Sequence, residues 1–295
     1  MRKPARVTSV ALTLAVLSLV STSRAEERVT LDERVHFGVA TAPFEVRTLP
    51  EAKGHAFSLV TDGWLRIGDF GWVGLRIPVV AGSVAQPAGS YVDEAAWGNP
   101  ELRVAARTVL VDRDDLLLRW SAGGGVAAPL AESHSSLLPN RVLAIANAVE
   151  GFAEPELFRP GRLPLTPFAE LDMMSGRWRV IGSLKVPVLF RVHDADLPSA
   201  ESESRAAGIV VVANIEGRVS MTRVVGFALA AQSVVDALPA AAQVLDVPTV
   251  QFLFRGGPFF QIASWGTIAL DVQAPIGGAP GGSTVGGGLR LGVSL

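Results

Sequence analysis

The sequence predicts an all-β chain: a transmembrane antiparallel up-and-down β-barrel of about 12 strands, with short periplasmic turns and long external loops. Three observations carry this. Segment after segment alternates apolar with small or polar residues at a period of two, the spacing of a strand's two faces. The connections between those segments alternate short and long. The chain is 49% hydrophobic with mean hydropathy +0.36, yet no segment after the N-terminus has the unbroken apolar length of a membrane-crossing helix.

The N-terminus reads as an export signal. Arg2, Lys3 and Arg6 precede the apolar run Val10–Val20, and Ser23-Arg24-Ala25 forms a small–x–small site. This predicts a signal peptide over 1–25, cut after Ala25, and a single barrel domain over 26–295. The chain has 0 Cys, which excludes lipid attachment through cysteine and any disulfide framework. Its net charge of -2 gives no basic patch for nucleic acid.

The strands follow in order. The first spans about Arg34 to Glu45, with Val35, Phe37 and Val39 opposite His36, Gly38 and Ala40. The second, Ala56 to Gly68, sets Phe57, Leu59, Leu65 and Ile67 against Ser58, Asp62, Trp64 and Arg66. The third, Gly71 to Val80, precedes a polar segment read as a loop over Ala81 to Gly98. The fourth, Pro100 to Val111, has Leu102, Val104, Ala106 and Leu110 outward and Glu101, Arg103 and Arg107 inward. The fifth runs from Leu116 to Pro129, and the longest connection, Leu130 to Arg162, follows.

The sixth strand, Leu163 to Asp172, places Glu170 and Asp172 opposite Ala169 and Leu171. The seventh, Arg177 to Val192, has Trp178, Val180, Leu184, Val186, Val188, Phe190 and Val192 on one face; Arg177, Arg179, Ser183, Lys185 and Arg191 share the other with Ile181, Pro187 and Leu189. The eighth, Ala206 to Ile215, and the ninth, Val219 to Ala231, flank a turn at Glu216-Gly217-Arg218. The tenth, Pro248 to Arg255, and the eleventh, Phe259 to Ala274, flank a turn at Gly256-Gly257-Pro258. The closing strand alternates Leu289, Leu291, Val293 and Leu295 with Gly288, Arg290, Gly292 and Ser294, and is expected to pair with the first near Val35 to Val39.

The connections decide between a barrel and a soluble periplasmic β-protein. Those after the even strands are short, and most of those after the odd strands are long. A barrel has short turns at one mouth and loops at the other. A Greek-key sandwich has no reason to alternate so regularly. Lipid also demands that every backbone group be paired, which a sheet achieves only by closing. Pro78, Pro129, Pro187 and Pro275 each stand near the end of an odd strand, as suits a residue with no N–H to give a ladder.

The segments Asp69-Phe70-Gly71-Trp72-Val73-Gly74-Leu75-Arg76-Ile77-Pro78-Val79 and Gly98-Asn99-Pro100-Glu101-Leu102-Arg103-Val104-Ala105-Ala106-Arg107, continued by Asp112 to Pro129, carry a resemblance. Their strand–turn–strand unit ending in an apolar–Pro step resembles the outer-membrane barrels related to the phenol meta-pathway degradation family. The resemblance implies an outer-membrane barrel passing hydrophobic or small polar solutes, and it supplies no catalytic motif. Such barrels commonly end on Phe, whereas this chain ends on Leu295.

The candidate functional residues are the charges on the inner face: Arg66, Arg76, Arg103, Arg107, Arg119, Glu170, Asp172, Arg177, Arg179, Lys185, Arg191, Asp271 and Arg290. Glu101 and Glu216 are further acidic counterparts. Two readings stand. A basic wall attracts polar or anionic solutes, or paired Arg and carboxylate groups fill the lumen and stabilise the barrel. Within the longest loop, Leu137 to Val149 reads as an amphipathic helix capped by Asn140, either folded inward as a constriction or external; the external position is favoured. Asp236 to Leu245 reads as a second helical turn.

His36, His55, His134 and His193 show no metal-ligand spacing, and His193-Asp194-Ala195-Asp196 reads as a polar loop. His134 beside Ser133, Ser135 and Ser136 lies in a loop, not on a wall where a hydrolase would need it. No enzyme activity, metal or cofactor is expected. Trp64, Trp72, Trp97, Trp120, Trp178 and Trp265 read as interface girdles, although Trp64 and Trp72 fall on the polar face. The expected partners are outer-membrane lipid, the barrel-assembly machinery acting on the C-terminal strand, and small solutes.

Overall fold

In a computed structural model, the structure describes residues 29–42, 52–85, 89–131, 142–143, 145–147, 149, 154–159, 161–192, 207–238, 250–263, 265–276 and 284–294. Fourteen strand segments form one sheet: β1 (Val29–Ala42), β2 (Ala52–Ile67), β3 (Gly71–Ala85), β4 (Tyr91–Trp97), β5 (Glu101–Arg113), β6 (Leu116–Ala127), β7 (Arg162–Ser175), β8 (Trp178–Lys185), β9 (Val188–Arg191), β10 (Ala207–Ser220), β11 (Val225–Leu238), β12 (Val250–Ala263), β13 (Gly266–Ile276) and β14 (Thr284–Ser294). Every pairing is antiparallel. β14 pairs with both β13 and β1, so the sheet closes without an edge. Val35 faces Leu289 and Val39 faces Val285, the closure expected from the terminal alternation.

Two strands are interrupted, so the fourteen segments make a twelve-strand barrel. β8 and β9 both lie between β7 and β10. Lys185 faces Phe168 and Val188 faces Leu165, so the register is kept across Val186-Pro187. Pro187 removes one donor and nothing more. β4 and β5 share one side of β3 with a slip: Val79 faces Trp97, but Arg76 faces Glu101. One extra residue is inserted at Gly98-Asn99-Pro100, a bulge that turns the next side chain to the other face. It sits opposite Pro78, which offers only its carbonyl, and Gly98 N–H donates to that oxygen at 3.1 Å.

The strands are longer than the sequence suggests. The expected loop over Ala81 to Gly98 instead carries the end of β3 and all of β4. The expected turn at Glu216-Gly217-Arg218 lies inside β10; the chain reverses at Met221 to Val224, where Thr222 Oγ1 accepts from Val225 N at 2.9 Å. The expected turn at Gly256-Gly257-Pro258 lies inside β12, where a side chain on Gly257 would meet the Leu270 carbonyl. In both places a period of two continues through residues that usually break strands, and tertiary pairing overrides local turn preference. Asp236 to Leu238, expected to be helical, complete β11. Short connections at 68–70, 114–115, 176–177 and 221–224 gather at one end, and the strand ends that lead into the longer connections lie at the other.

The outer face is apolar. Phe37, Leu75, Leu102, Val104, Leu229, Phe254, Leu270, Val272 and Val285 are all exposed on it. Trp97, Trp120, Trp178 and Trp265 are exposed, as girdle residues should be, but Trp72 is buried and Trp64 half-buried inside. The two tryptophans on the polar face therefore do not belong to a girdle; arginines on the same inner face hold them there. The expected signal peptide over 1–25, Ser133 to Ser136, Asn140, His193 to Asp196 and Leu295 lie outside the described residues.

Candidate functional site: a charged lumen beneath an inward-folded loop

The connection between β6 and β7 does not stay outside. Residues 142–143, 145–147 and 149 are helical, and Val142, Leu143, Ile145, Ala146 and Val149 are fully buried. They pack against Ala56, Val60, Val80, Val84 and Ala96, which face inward from β2, β3 and β4 in the half of the barrel nearer the long loops. The expected external helix is thus an internal one. Water cannot hold these aliphatic side chains outside when an apolar inner wall is present to bury them. Gln273, fully buried on β13, donates from Nε2 to the Val149 carbonyl at 2.6 Å.

A second part of the loop, Glu154 to Arg159, lies below the helix. The bulge holds it. Asn99, fully buried, donates to the carbonyls of Glu156 (3.2 Å) and Arg159 (2.9 Å) and accepts from Ala131 N (2.8 Å). Asn99 N–H itself donates to the Leu157 carbonyl at 2.7 Å. Glycine is required next to it, because a side chain on Gly98 would strike that same carbonyl.

The loop also contributes two carboxylates to the lumen. Arg34 donates to Glu154 through two bonds, at 2.9 and 3.3 Å. Arg76 reaches four carboxylates: Glu154, Glu156 at 3.2 Å, Glu101 at 3.1 Å and Asp62 at 3.6 Å. Lys185 Nζ bonds Glu156, and Arg103 bonds Asp62. Burial alone would raise the Glu154 carboxyl, but Arg34, Arg76 and Lys185 overcome it and hold the group well below the usual carboxylate range.

On the short-turn side of this layer the lumen opens into a cavity of about 320 Å³. A cavity measured this way needs about 10–15 Å³ to admit one water, so the space suits a small solute. Eight cations line it: Arg34, Arg76, Arg103, Arg107, Lys185, Arg218, Arg255 and Arg290. The wall supplies five carboxylates, Asp32, Asp62, Glu101, Glu170 and Glu216, and the loop adds Glu154 and Glu156. Arg103 lies over the Trp64 ring at 4.2 Å, and Arg107 lies between Trp64 (5.1 Å) and Trp72 (4.3 Å).

The sequence-predicted residues divide by height. Arg76, Arg103, Arg107, Glu170, Lys185 and Arg290 line the cavity, and Asp271 lines a smaller recess beside it. Asp172 and Arg179 pair with each other at 2.8 and 3.0 Å. Arg66 donates to the carbonyls of Gly68 (3.1 Å) and Asp69 (2.9 Å) at a short turn. Arg119, Arg177 and Arg191 are exposed toward the barrel ends and do not line the cavity. Arg34, a site residue the sequence reading missed, shares the His36 and Gly38 face, so the alternation held its signal. Glu154 and Glu156 lie in an aperiodic loop with no such signal. Among the described residues, no group of three or more His, Asp and Glu could hold a metal ion.

No family model matches the chain, and no curated protein matches its sequence. Solved structures do match. An outer membrane channel from Pseudomonas putida F1 is 10% identical with a TM-score of 0.59, covering 94% of this chain and 98% of that one. The transport unit of the autotransporter AIDA-I from Escherichia coli is 11% identical with a TM-score of 0.52, covering 100% of both chains. The chain has the fold of outer-membrane barrels. At such identities the likeness reaches no further than the fold. A channel and an autotransporter unit share it, so the lumen and not the wall must distinguish functions.

Proposed function

We propose that the protein is an outer-membrane channel for small solutes, constricted in this state by the connection between β6 and β7. One observation carries the reading: a polar cavity of about 320 Å³ continues beneath loop residues folded into the lumen. A barrel serving only as a wall fitting has no need of a solvated interior that size. The apolar outer face fits outer-membrane lipid, and the C-terminal strand β14, which closes the barrel, is the element the assembly machinery would receive. The finer kinship with the phenol meta-pathway degradation group belongs to this same reading.

A second reading is favoured by the Arg76 network: a structural barrel with a lumen filled by paired charges. Planar-bilayer recording separates the two. The intact protein should conduct rarely, and a variant in which residues 132–153 are replaced by a short Gly/Ser linker should conduct steadily. If the variant shows heat-modifiable migration yet passes no current in any salt, the channel reading fails. Recovery of the protein in the soluble periplasm would remove the membrane placement itself.

A further inference from the structure

We propose that Arg34, Arg76 and Lys185 form a binding site for a small anionic solute, which Glu154 and Glu156 occupy as internal stand-ins. The proposal rests on the channel reading and names its solute class.

The wall without its loop is positive. Eight lining cations face five wall carboxylates, and the loop's two close most of that difference. Those two do not bind at random along the wall. Glu154 takes Arg34 and Arg76, and Glu156 takes Arg76 and Lys185, from strands β1, β3 and β8 on different sides of the lumen. Three cations thus converge on two carboxylates that belong to neither strand nor wall. A guanidinium fork and an ammonium gathered this way match the oxygens of a free carboxylate or phosphate.

The donors are not all used. The Nε atoms of Arg76 and Arg103 are buried and make no hydrogen bond among the described residues; they face Asp62 at 3.6 Å and Glu101 at 3.9 Å, beyond hydrogen-bond reach. Arg76 is only 7% exposed as a side chain, so an unmet donor there has a cost that an arriving oxygen would relieve. Glu156 Oε2 is equally buried and unpartnered, which shows that the loop carboxylate fits the site imperfectly. A ligand with three oxygens can use donors that a tethered carboxylate leaves idle.

Inorganic phosphate serves as the probe. The detergent-solubilised full chain and its Glu156→Gln variant are titrated calorimetrically, with folding checked by heat-modifiable migration. A tethered ligand competes at millimolar effective concentration, so E156Q should bind phosphate about tenfold more tightly than the wild type, and adding Lys185→Gln should abolish the gain. In bilayers under a KCl gradient, E156Q should shift the reversal potential toward chloride, and phosphate should block that current. A folded E156Q that binds phosphate no better than the wild type overturns the site, whatever the conductance. Binding that follows this pattern without any current keeps the site and overturns the channel reading instead. If E156Q fails to fold, Glu154→Gln is titrated in its place, with Arg34→Gln as the reversing change; no gain there overturns the site.

Discussion

Arg34 and Glu154 are 120 residues apart in sequence, and two hydrogen bonds at 2.9 and 3.3 Å join their side chains. One belongs to the first strand and the other to the loop, so the pair fastens the constriction to the wall. Removing one partner of a buried pair commonly costs about 3–5 kcal/mol, because the other charge is left uncompensated. Glu154→Gln should therefore loosen the loop rather than unfold the barrel, whose ladders it leaves intact. Limited proteolysis should cleave the loop in E154Q at protease levels that spare the wild type, while heat-modifiable migration persists.

The same pair sets an acid response. The folded Glu154 carboxyl is depressed, with burial opposing and Arg34, Arg76 and Lys185 prevailing. A depressed group stabilises fully above its unfolded value, roughly 4.3, and loses that contribution as pH falls through the folded one. Glu101, Glu156 and Asp62 share these cations and belong to the same charge set. Conductance should stay flat from about pH 8 to pH 5 and rise only in stronger acid, below about pH 4. In E154Q that acid step should shrink. A rise centred near neutrality in the wild type would contradict the assignment.

Asn99 is the second fastening, and its effect separates from charge. It satisfies two loop carbonyls and one loop N–H. Each buried group left unpaired costs about 1–3 kcal/mol. Asn99→Ala should raise open probability in bilayers at every salt concentration, because no ion pair is lost. The excess opening of E154Q over the wild type should instead shrink as salt rises, because salt already weakens the ion pair that the wild type keeps. Equal salt dependence in both variants would show that Asn99 does not act through the loop backbone.

Much of the wall was legible because alternation is a strong signal: Phe37, Leu102, Leu229 and Val285 point outward as their neighbours in the sequence require. The count of twelve strands and the sides of the long loops followed from the same pattern. Strand ends were less legible. Gly256-Gly257-Pro258 looks like a turn locally, and only the close approach of β13 reveals it as strand. The lumen was half legible. Arg76 and Arg103 follow from parity, but their partners Glu154 and Glu156 come from a stretch without period, and no local rule says where a loop goes. Val60, Val80 and Val84 were the missed clue, since aliphatic side chains facing inward need something apolar to cover them.

Arg107 lies between Trp64 and Trp72 at 5.1 and 4.3 Å, on the floor of the cavity. Each such contact contributes about 0.5–2 kcal/mol when shielded from water. Arg107→Ala should lower the denaturant midpoint and shift tryptophan emission to the red as water reaches both rings. Arg107→Lys should recover only part of the midpoint, because an ammonium cannot stack as a plane on indole. Unchanged emission in R107A would show that the rings are held by other contacts.

Tethering the helix offers the most direct test of its position. The chain has 0 Cys, so an introduced pair has no competitor. A Cβ built on Gly38 would lie 2.9 Å from both Cγ atoms of Val149, which brings the two Cβ positions to about the 3.5 Å lower end of what a disulfide spans, and 2.8 Å from the Val285 carbonyl, so the β1–β14 backbone must yield to admit it. Gly38→Cys with Val149→Cys should oxidise once that backbone has yielded, and fix the helix to β1. Under oxidising conditions the rare openings of the wild type should vanish, and a reductant added to the same bilayer should restore them. The disulfide should form without loss of heat-modifiable migration. A pair that never cross-links in the folded protein would place the helix elsewhere, and a cross-linked protein that still opens at the wild-type rate would remove the loop from the gate.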